Sequence, residues 1–137
     1  MAMRLSIPAD AARIFQAFTQ PEYLETWIAF PGDDADSYLV AWRQPDSYRF
    51  DHYRSGGRDL IVSGTYRFCR RRKMLFTWRM SGHREQAESL VYIRLFGNFS
   101  STILELHHRG IASAADSLWL QEMWARSLDR LARLFPG

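Results

Sequence analysis

Ile-Pro-Ala-Asp-Ala-Ala-Arg-Ile-Phe-Gln-Ala-Phe-Thr-Gln-Pro-Glu-Tyr-Leu-Glu-Thr-Trp, residues 7–27, says more about the fold than any other stretch of this chain. A short strand stops at Pro8, and Asp10 is placed to cap a helix with Ala11, Ile14, Phe15 and Phe18 as its apolar face. That spacing is one buried helical stripe. Thr19-Gln20-Pro21 ends this helix and opens another, with Pro21 at the favoured first position. The second helix is one or two turns long and carries Tyr23, Leu24 and Trp27. Two small helices set at an angle form a clamp on something built later in the chain.

Working outward, residues 30–36 make an acidic loop, and from Ser37 the pattern turns extended. Residues 38–43 read as a strand, and Gln44-Pro45-Asp46-Ser47 as a turn. Tyr48, Phe50 and His52 then alternate with Arg49, Asp51 and Tyr53, which puts Asp51 toward solvent. Ser55-Gly56-Gly57-Arg58 is the next turn, and residues 60–69 the next strand, with Gly64 as a bulge or close-approach point. Strands follow over 74–80, 88–95 and 102–108, each joined to the last by a short loop, so the sheet should be an antiparallel meander. Residues 114–135 read as one long helix, with Leu120, Trp124, Leu128, Leu131 and Leu134 on a single stripe. Arg126, Arg130 and Arg133 lie elsewhere on its surface, where the later ones suit the helix dipole. The class is α+β.

A chain of 137 residues is one domain, 1–137, and its 47% hydrophobic content excludes disordered and fibrous classes. Twenty aromatic side chains (Trp 5, Tyr 6, Phe 9) either pack a core or line a cavity. The single cysteine, Cys69, excludes an internal disulfide framework and fits a reducing cytosol, so the expected location is cytoplasmic. No apolar run approaches the ~18 residues of a membrane span, and no charged-then-apolar leader precedes the first strand. Net charge is only +3, and the one dense basic run, Arg70-Arg71-Arg72-Lys73, sits where a hairpin turn belongs. It reads as a solvated turn rather than a phosphate-binding patch, and no nucleic-acid partner is expected.

One helix ~10 Å wide cannot cover six strands spaced at ~4.8 Å. Space must remain between sheet and helices, or be plugged by aromatics, and that volume is the candidate ligand site. The pieces that specify this architecture are Ile7-Pro8-Ala9, the Phe15, Phe18-Thr19, Pro21, Leu24 and Trp27 series, Ser63-Gly64-Thr65-Tyr66, and Leu75-Phe76-Thr77-Trp78. Thr102, Leu104, Leu106 and His108, then Trp124, Leu128 and Leu131, complete the set. In this order they resemble the START/Bet v-type (SRPBCC) helix-grip superfamily, and within it the bacterial branch related to the C-terminal domain of the activator of the ninety-kilodalton heat-shock protein ATPase. The resemblance implies a helix-grip fold: a curved antiparallel sheet of about six to seven strands wrapped on a long C-terminal helix, with two short helices after the first strand. The chain departs from the family pattern at Trp27-Ile28, at Cys69-Arg70-Arg71-Arg72, and at Met123, where a glycine commonly lets the helix approach the sheet. Met123 is expected to lift the helix or intrude on the pocket.

The expected ligand is a small hydrophobic or aromatic molecule. Its pocket walls would be Phe50, Phe76, Trp78, Val91, Ile93, Leu104 and Leu106, with Leu120, Trp124 and Leu128 as the lid and Trp27 at one end. His52 and His108 share faces with these residues and would supply orienting polar contacts, or else are satisfied core histidines. Arg54, on the parity of His52, is the candidate for pairing a ligand carboxylate, and Cys69 borders arginines that could activate its thiol. His107-His108 is no metal pair, since strand neighbours point to opposite faces. No metal or cofactor and no catalytic residue are assigned. Two rival readings stand beside ligand binding. One is an interaction module that touches a chaperone, as the resemblance implies. The other is a cyclase- or hydrolase-type enzyme using His52 or His108. A homodimer through a sheet edge or the arginine-bearing helix face is an open expectation.

Overall fold

The computed structural model describes residues 1–136. Its elements are β1 (Ala2–Ile7), α1 (Ala11–Thr19), α2 (Pro21–Trp27), β2 (Tyr38–Gln44), β3 (Ser47–Arg54), β4 (Gly57–Arg70), β5 (Lys73–Gly82), β6 (Gln86–Gly97), β7 (Thr102–Arg109) and α3 (Ala114–Arg133). The strands form one antiparallel sheet in the order β1-β7-β6-β5-β4-β3-β2. Only β1 leaves sequence order: it crosses to pair with β7, from Ala2 opposite His107 to Ile7 opposite Thr102. The helix-grip expectation is met.

Local chemistry explains the joints. The Asp10 carboxylate accepts from the Arg13 amide at 2.9 Å and so caps α1. Gln20 ends α1 and caps α2, with Pro21 in the first turn. The buried stripe of α1 is Ala11, Ile14, Ala17 and Phe18, whereas Phe15 is only half-buried. Ser55 and Gly56 both have positive φ, +54° and +81°, the two-residue turn that matches strand twist between β3 and β4. At Gly64 the reason for glycine is close approach. A Cβ there would lie 1.9 Å from the Thr77 carbonyl oxygen and 2.7 Å from a carbon of the Tyr48 ring.

α3 lies along the concave face, capped by Ser113, whose hydroxyl accepts from the Asp116 amide at 3.1 Å. It buries Leu120, Met123, Trp124, Ser127, Leu128 and Leu131. Met123 is therefore part of the packed stripe. The expected helix over 114–135 is two residues too long, and Leu134 is not on the stripe. The helix ends at Arg133 and Leu134 is 38% exposed, while Phe135 folds back under the Arg13 guanidinium. The expected solvent-facing Asp51 is also corrected. It is 2% exposed on the outer sheet face, held bidentately by Arg49 (2.7 and 3.0 Å) and approached by Arg58 at 3.4 Å. No helix among the described residues is long and apolar enough to cross a membrane.

Candidate functional site

Eleven side chains close around a small cavity between the helices and β3–β5. They are Phe18, Leu24, Trp27 and Ile28 from the α1–α2 side, Trp124 from α3, and Tyr48, Phe50, Tyr66, Met74, Phe76 and Trp78 from the sheet. The free volume is about 20 Å³, room for a single water. The rings tile one another: Phe18 meets Trp27 edge-on at 4.8 Å, and Tyr48 meets Phe76 edge-on at 5.4 Å. Trp78 lies 5.3 Å from Trp124. Trp27 is fixed by an indole N–H donated to the Ala17 carbonyl at 2.8 Å. The Trp78 indole N–H, by contrast, is buried with no acceptor. Ten of the eleven side chains are buried, and Tyr66 alone is half-exposed.

Both candidate histidines are buried, and each is held by protein groups. His52 Nε2 lies 2.7 Å from Asp33 Oδ1 and its Nδ1 lies 3.3 Å from Asp59 Oδ2, with Phe30 packed edge-on against the ring. Burial pushes the Asp33 carboxyl up, but hydrogen bonds from His52, the Phe30 amide and Arg54 outweigh it, so it sits below the usual carboxylate range. His108 Nδ1 accepts from the Trp124 indole at 3.0 Å, which makes Nε2 the protonated nitrogen of the neutral ring, 2.7 Å from Ser89 Oγ. Burial, aided by the positive chain terminus, pulls this imidazole down to about 4. The Ser89 hydroxyl donates in turn to the Trp78 carbonyl at 3.3 Å, so it is a link in a structural chain.

A sequence model of the family described as "Activator of Hsp90 ATPase homolog 1-like protein" matches residues 8–136. The chain belongs to this family. Among solved structures, this AHSA1-like chain is similar to protein CV1439 from Chromobacterium violaceum, at 20% identity over 99% of each chain with a TM-score of 0.71. It is similar to the AHSA1 protein SPO3351 from Silicibacter pomeroyi at 22% identity, covering 97% of this chain and 96% of that one, TM-score 0.73. CalU16 from Micromonospora echinospora matches at 20% identity over 95% of this chain and 71% of its own, TM-score 0.63. These likenesses establish the fold. No curated protein matches the sequence.

Of the residues expected at the site, Trp27, Phe50, Phe76, Trp78 and Trp124 meet at the cavity of this AHSA1-like domain. Val91, Ile93, Leu104, Leu106, Leu120 and Leu128 are buried but belong to the solid packing outside it, as does His108. His52 faces the acidic loop. Sequence reading missed Phe18, Leu24, Ile28, Tyr48, Tyr66 and Met74 as cavity walls. Tyr48 could have been found by its parity with Phe50, and Phe18 and Leu24 by their helical faces. Tyr66 could have been found by its parity with Leu60 and Val62, because the register shift in β4 falls after it, between Tyr66 and Phe68.

Two chemical expectations are corrected. Arg54 is not free for a ligand: its Nη2 donates to the Pro31 carbonyl at 3.0 Å and to Asp33 at 3.2 Å. Cys69 is not activated by its sequence neighbours. Burial pushes its thiol up, only partly opposed by Arg43, whose Nη2 lies 3.5 Å from the sulfur. Among the described residues no group of three or more His, Cys, Asp or Glu could hold a metal ion.

Proposed function

We propose that this AHSA1-like domain binds a small apolar or aromatic molecule in the cavity between the α1–α2 pair, α3 and strands β3–β5. AHSA1/SRPBCC-like folds commonly bind hydrophobic ligands. The observation that carries the reading is the void itself. It is an apolar space ringed by flat side chains, with one buried donor, Trp78 Nε1, still lacking an acceptor. At about 20 Å³ it is a closed form, so a ligand enters by displacing a wall, and the half-exposed Tyr66 is the wall that reaches the surface. Binding over turnover is supported by the two imidazoles. A hydrolase or cyclase working through His52 or His108 would need that imidazole to face the cavity, and neither lines it.

The test is titration with 1-octanol, a neutral apolar probe, followed by tryptophan fluorescence and thermal unfolding. Trp27, Trp78 and Trp124 all report on the cavity. A saturable signal with a rise in Tm is expected, larger in Tyr66→Ala. No saturable response in either protein would sink the reading.

A protein-docking role has its own observation. Tyr38 and Trp42 on β2 are 54% and 48% exposed. Tyr38 stacks on Tyr53 at 4.8 Å, and Trp42 lies under the Arg49 guanidinium. That reading expects the domain to change the ATPase rate of an Hsp90-type chaperone and Trp42→Ala to abolish the change. An unaltered rate with the wild-type domain removes it.

A further inference from the structure

Four arginines among the described residues are half-buried: Arg43, Arg54, Arg84 and Arg94. A guanidinium taken partly out of water needs an anion or a full set of acceptors. Three have one. Arg54 meets Asp33 at 3.2 Å, Arg84 meets Asp116 at 2.9 Å, and Arg94 meets Glu105 at 3.8 Å. Arg43 forms no ion pair with any described residue, and its Nε is buried with no acceptor. Its hydrogen bonding amounts to a 3.5 Å contact from Nη2 to the Cys69 sulfur, which is a weak acceptor, and a looser approach to the neutral Tyr66 hydroxyl.

The position of Arg43 gives this shortfall a meaning. Its guanidinium carbon lies 5.0 Å from the centroid of the Tyr66 ring. On its cavity side that ring packs against Tyr48 at 5.6 Å and Phe76 at 5.9 Å. Tyr66 is thus a single ring between the apolar void and an unpaired cation. Beyond Arg43 an open groove of about 440 Å³ runs between the α1–α2 joint and the β2–β3 turn, lined by Thr19, Gln20, Pro21, Glu22, Gln44 and Pro45. Glu22 is the carboxylate in that wall, and it does not reach Arg43.

We propose that Arg43 is the anion anchor of the cavity, and that the ligand is an amphipathic monocarboxylate. Its apolar body takes the place of Tyr66 beside Tyr48 and Phe76, and its carboxylate meets the Arg43 guanidinium at the groove. One unpaired guanidinium, with Glu22 in the same groove, suits one negative charge rather than two. The planar fork of arginine also matches a carboxylate bidentately. This inference rests on the cavity being a ligand site, and it adds the class of ligand.

The test compares octanoate with 1-octanol on the wild type, Arg43→Gln, Arg43→Lys and Arg79→Gln. Arg79→Gln removes an equal charge from an exposed arginine outside the site. Arg43→Gln is expected to weaken octanoate by about tenfold or more while leaving octanol within about twofold. Arg43→Lys should fall between, and Arg79→Gln should change neither. Should Arg43→Gln fail to fold, the wild type alone still decides, because an anion anchor binds octanoate in preference to octylamine. Equal octanoate affinity in wild type and Arg43→Gln, an equal loss in Arg79→Gln, or a preference for octylamine overturns the anchor while octanol binding keeps the cavity. If octanol does not bind either, the cavity reading fails and the anchor with it.

Discussion

The concave face of the sheet has two halves that solve the same packing problem differently. Under α3, strands β6 and β7 present Val91, Ile93, Leu104 and Leu106 to Leu120, Leu128 and Leu131, and none of these lines a void. Under α1 and α2, strands β3–β5 present Tyr48, Phe50, Tyr66, Phe76 and Trp78 to Phe18, Leu24 and Trp27, and a water-sized space remains. Branched aliphatic chains interdigitate to crystal-like density, whereas rigid rings meet at fixed angles and leave corners. The aromatic half is therefore where the core can open, and the candidate site follows from shape before any polar group is considered. His108 and Trp124 sit at the seam, joined by a hydrogen bond of 3.0 Å.

The largest effect should come from abolishing the close approach on which the aromatic half is built. Gly64→Val puts side-chain atoms into the Thr77 carbonyl and the Tyr48 ring. It should cost on the order of 4 kcal/mol or prevent folding, as read by urea denaturation. An unchanged midpoint would mean the strands can separate freely there. Next comes a paired truncation. Leu104→Ala in the aliphatic half should lose about 3–5 kcal/mol and leave 1-octanol binding in the aromatic cavity at the wild-type level. Leu24→Ala in the aromatic half should lose only about 2–3 kcal/mol and bind 1-octanol more tightly than the wild type. Equal losses with equal probe binding would erase the distinction between the halves.

At the seam, the pH dependence has a definite sign. The folded value of His108, about 4, lies below its ordinary 6.5, so the unfolded chain takes up the proton first as pH falls. This contribution is fully present above pH 6.5, declines as pH falls to about 4, and is constant below that. Integrated, it amounts to about 3 kcal/mol, and His108→Gln should flatten that limb of a stability-versus-pH curve. The depressed Asp33 acts lower, with stability lost as pH falls below the ordinary carboxylate value of 3.8, so the two windows separate. A variant curve parallel to wild type from pH 6.5 to 4 would remove the buried-neutral assignment. The smallest stability effect belongs to the exposed edge of the aromatic half. Tyr66→Ala should cost about 1–2 kcal/mol, because that ring is only partly buried. Yet it should speed probe entry in stopped-flow fluorescence, and an unchanged rate would place the entrance elsewhere.

Much of the architecture was legible because it depends on local chemistry. The Ala11–Ile14–Phe18 spacing, the Asp10 cap and Pro21 at the head of α2 define the helical pair without help from the rest of the chain. The turns at Pro45-Asp46 and Ser55-Gly56 divide the strands, and Leu120, Trp124, Leu128 and Leu131 mark the gripping face of α3. Five of the cavity walls were readable from strand parity and helical stripe alone. What failed did so through side-chain contacts that strand parity does not encode. Asp51 has the parity of a solvent residue, but Arg49 and Arg58 cover it. His52 and Arg54 share the parity of pocket residues, yet the loop at Asp33 folds over both. The register shift after Tyr66 turns Phe68 outward against Tyr92, a change no alternation count contains.

The sequence by itself therefore determined the element order, the antiparallel sheet and the helix that grips it, because periodicity and turn chemistry act over a few residues. Only the tertiary structure decided that the space is nearly closed, that both histidines are spoken for, and that among the half-buried arginines of the described residues Arg43, not Arg54, lacks an ion pair. Those facts depend on which side chains from remote strands reach the same few ångströms, and spacing along a chain does not encode that.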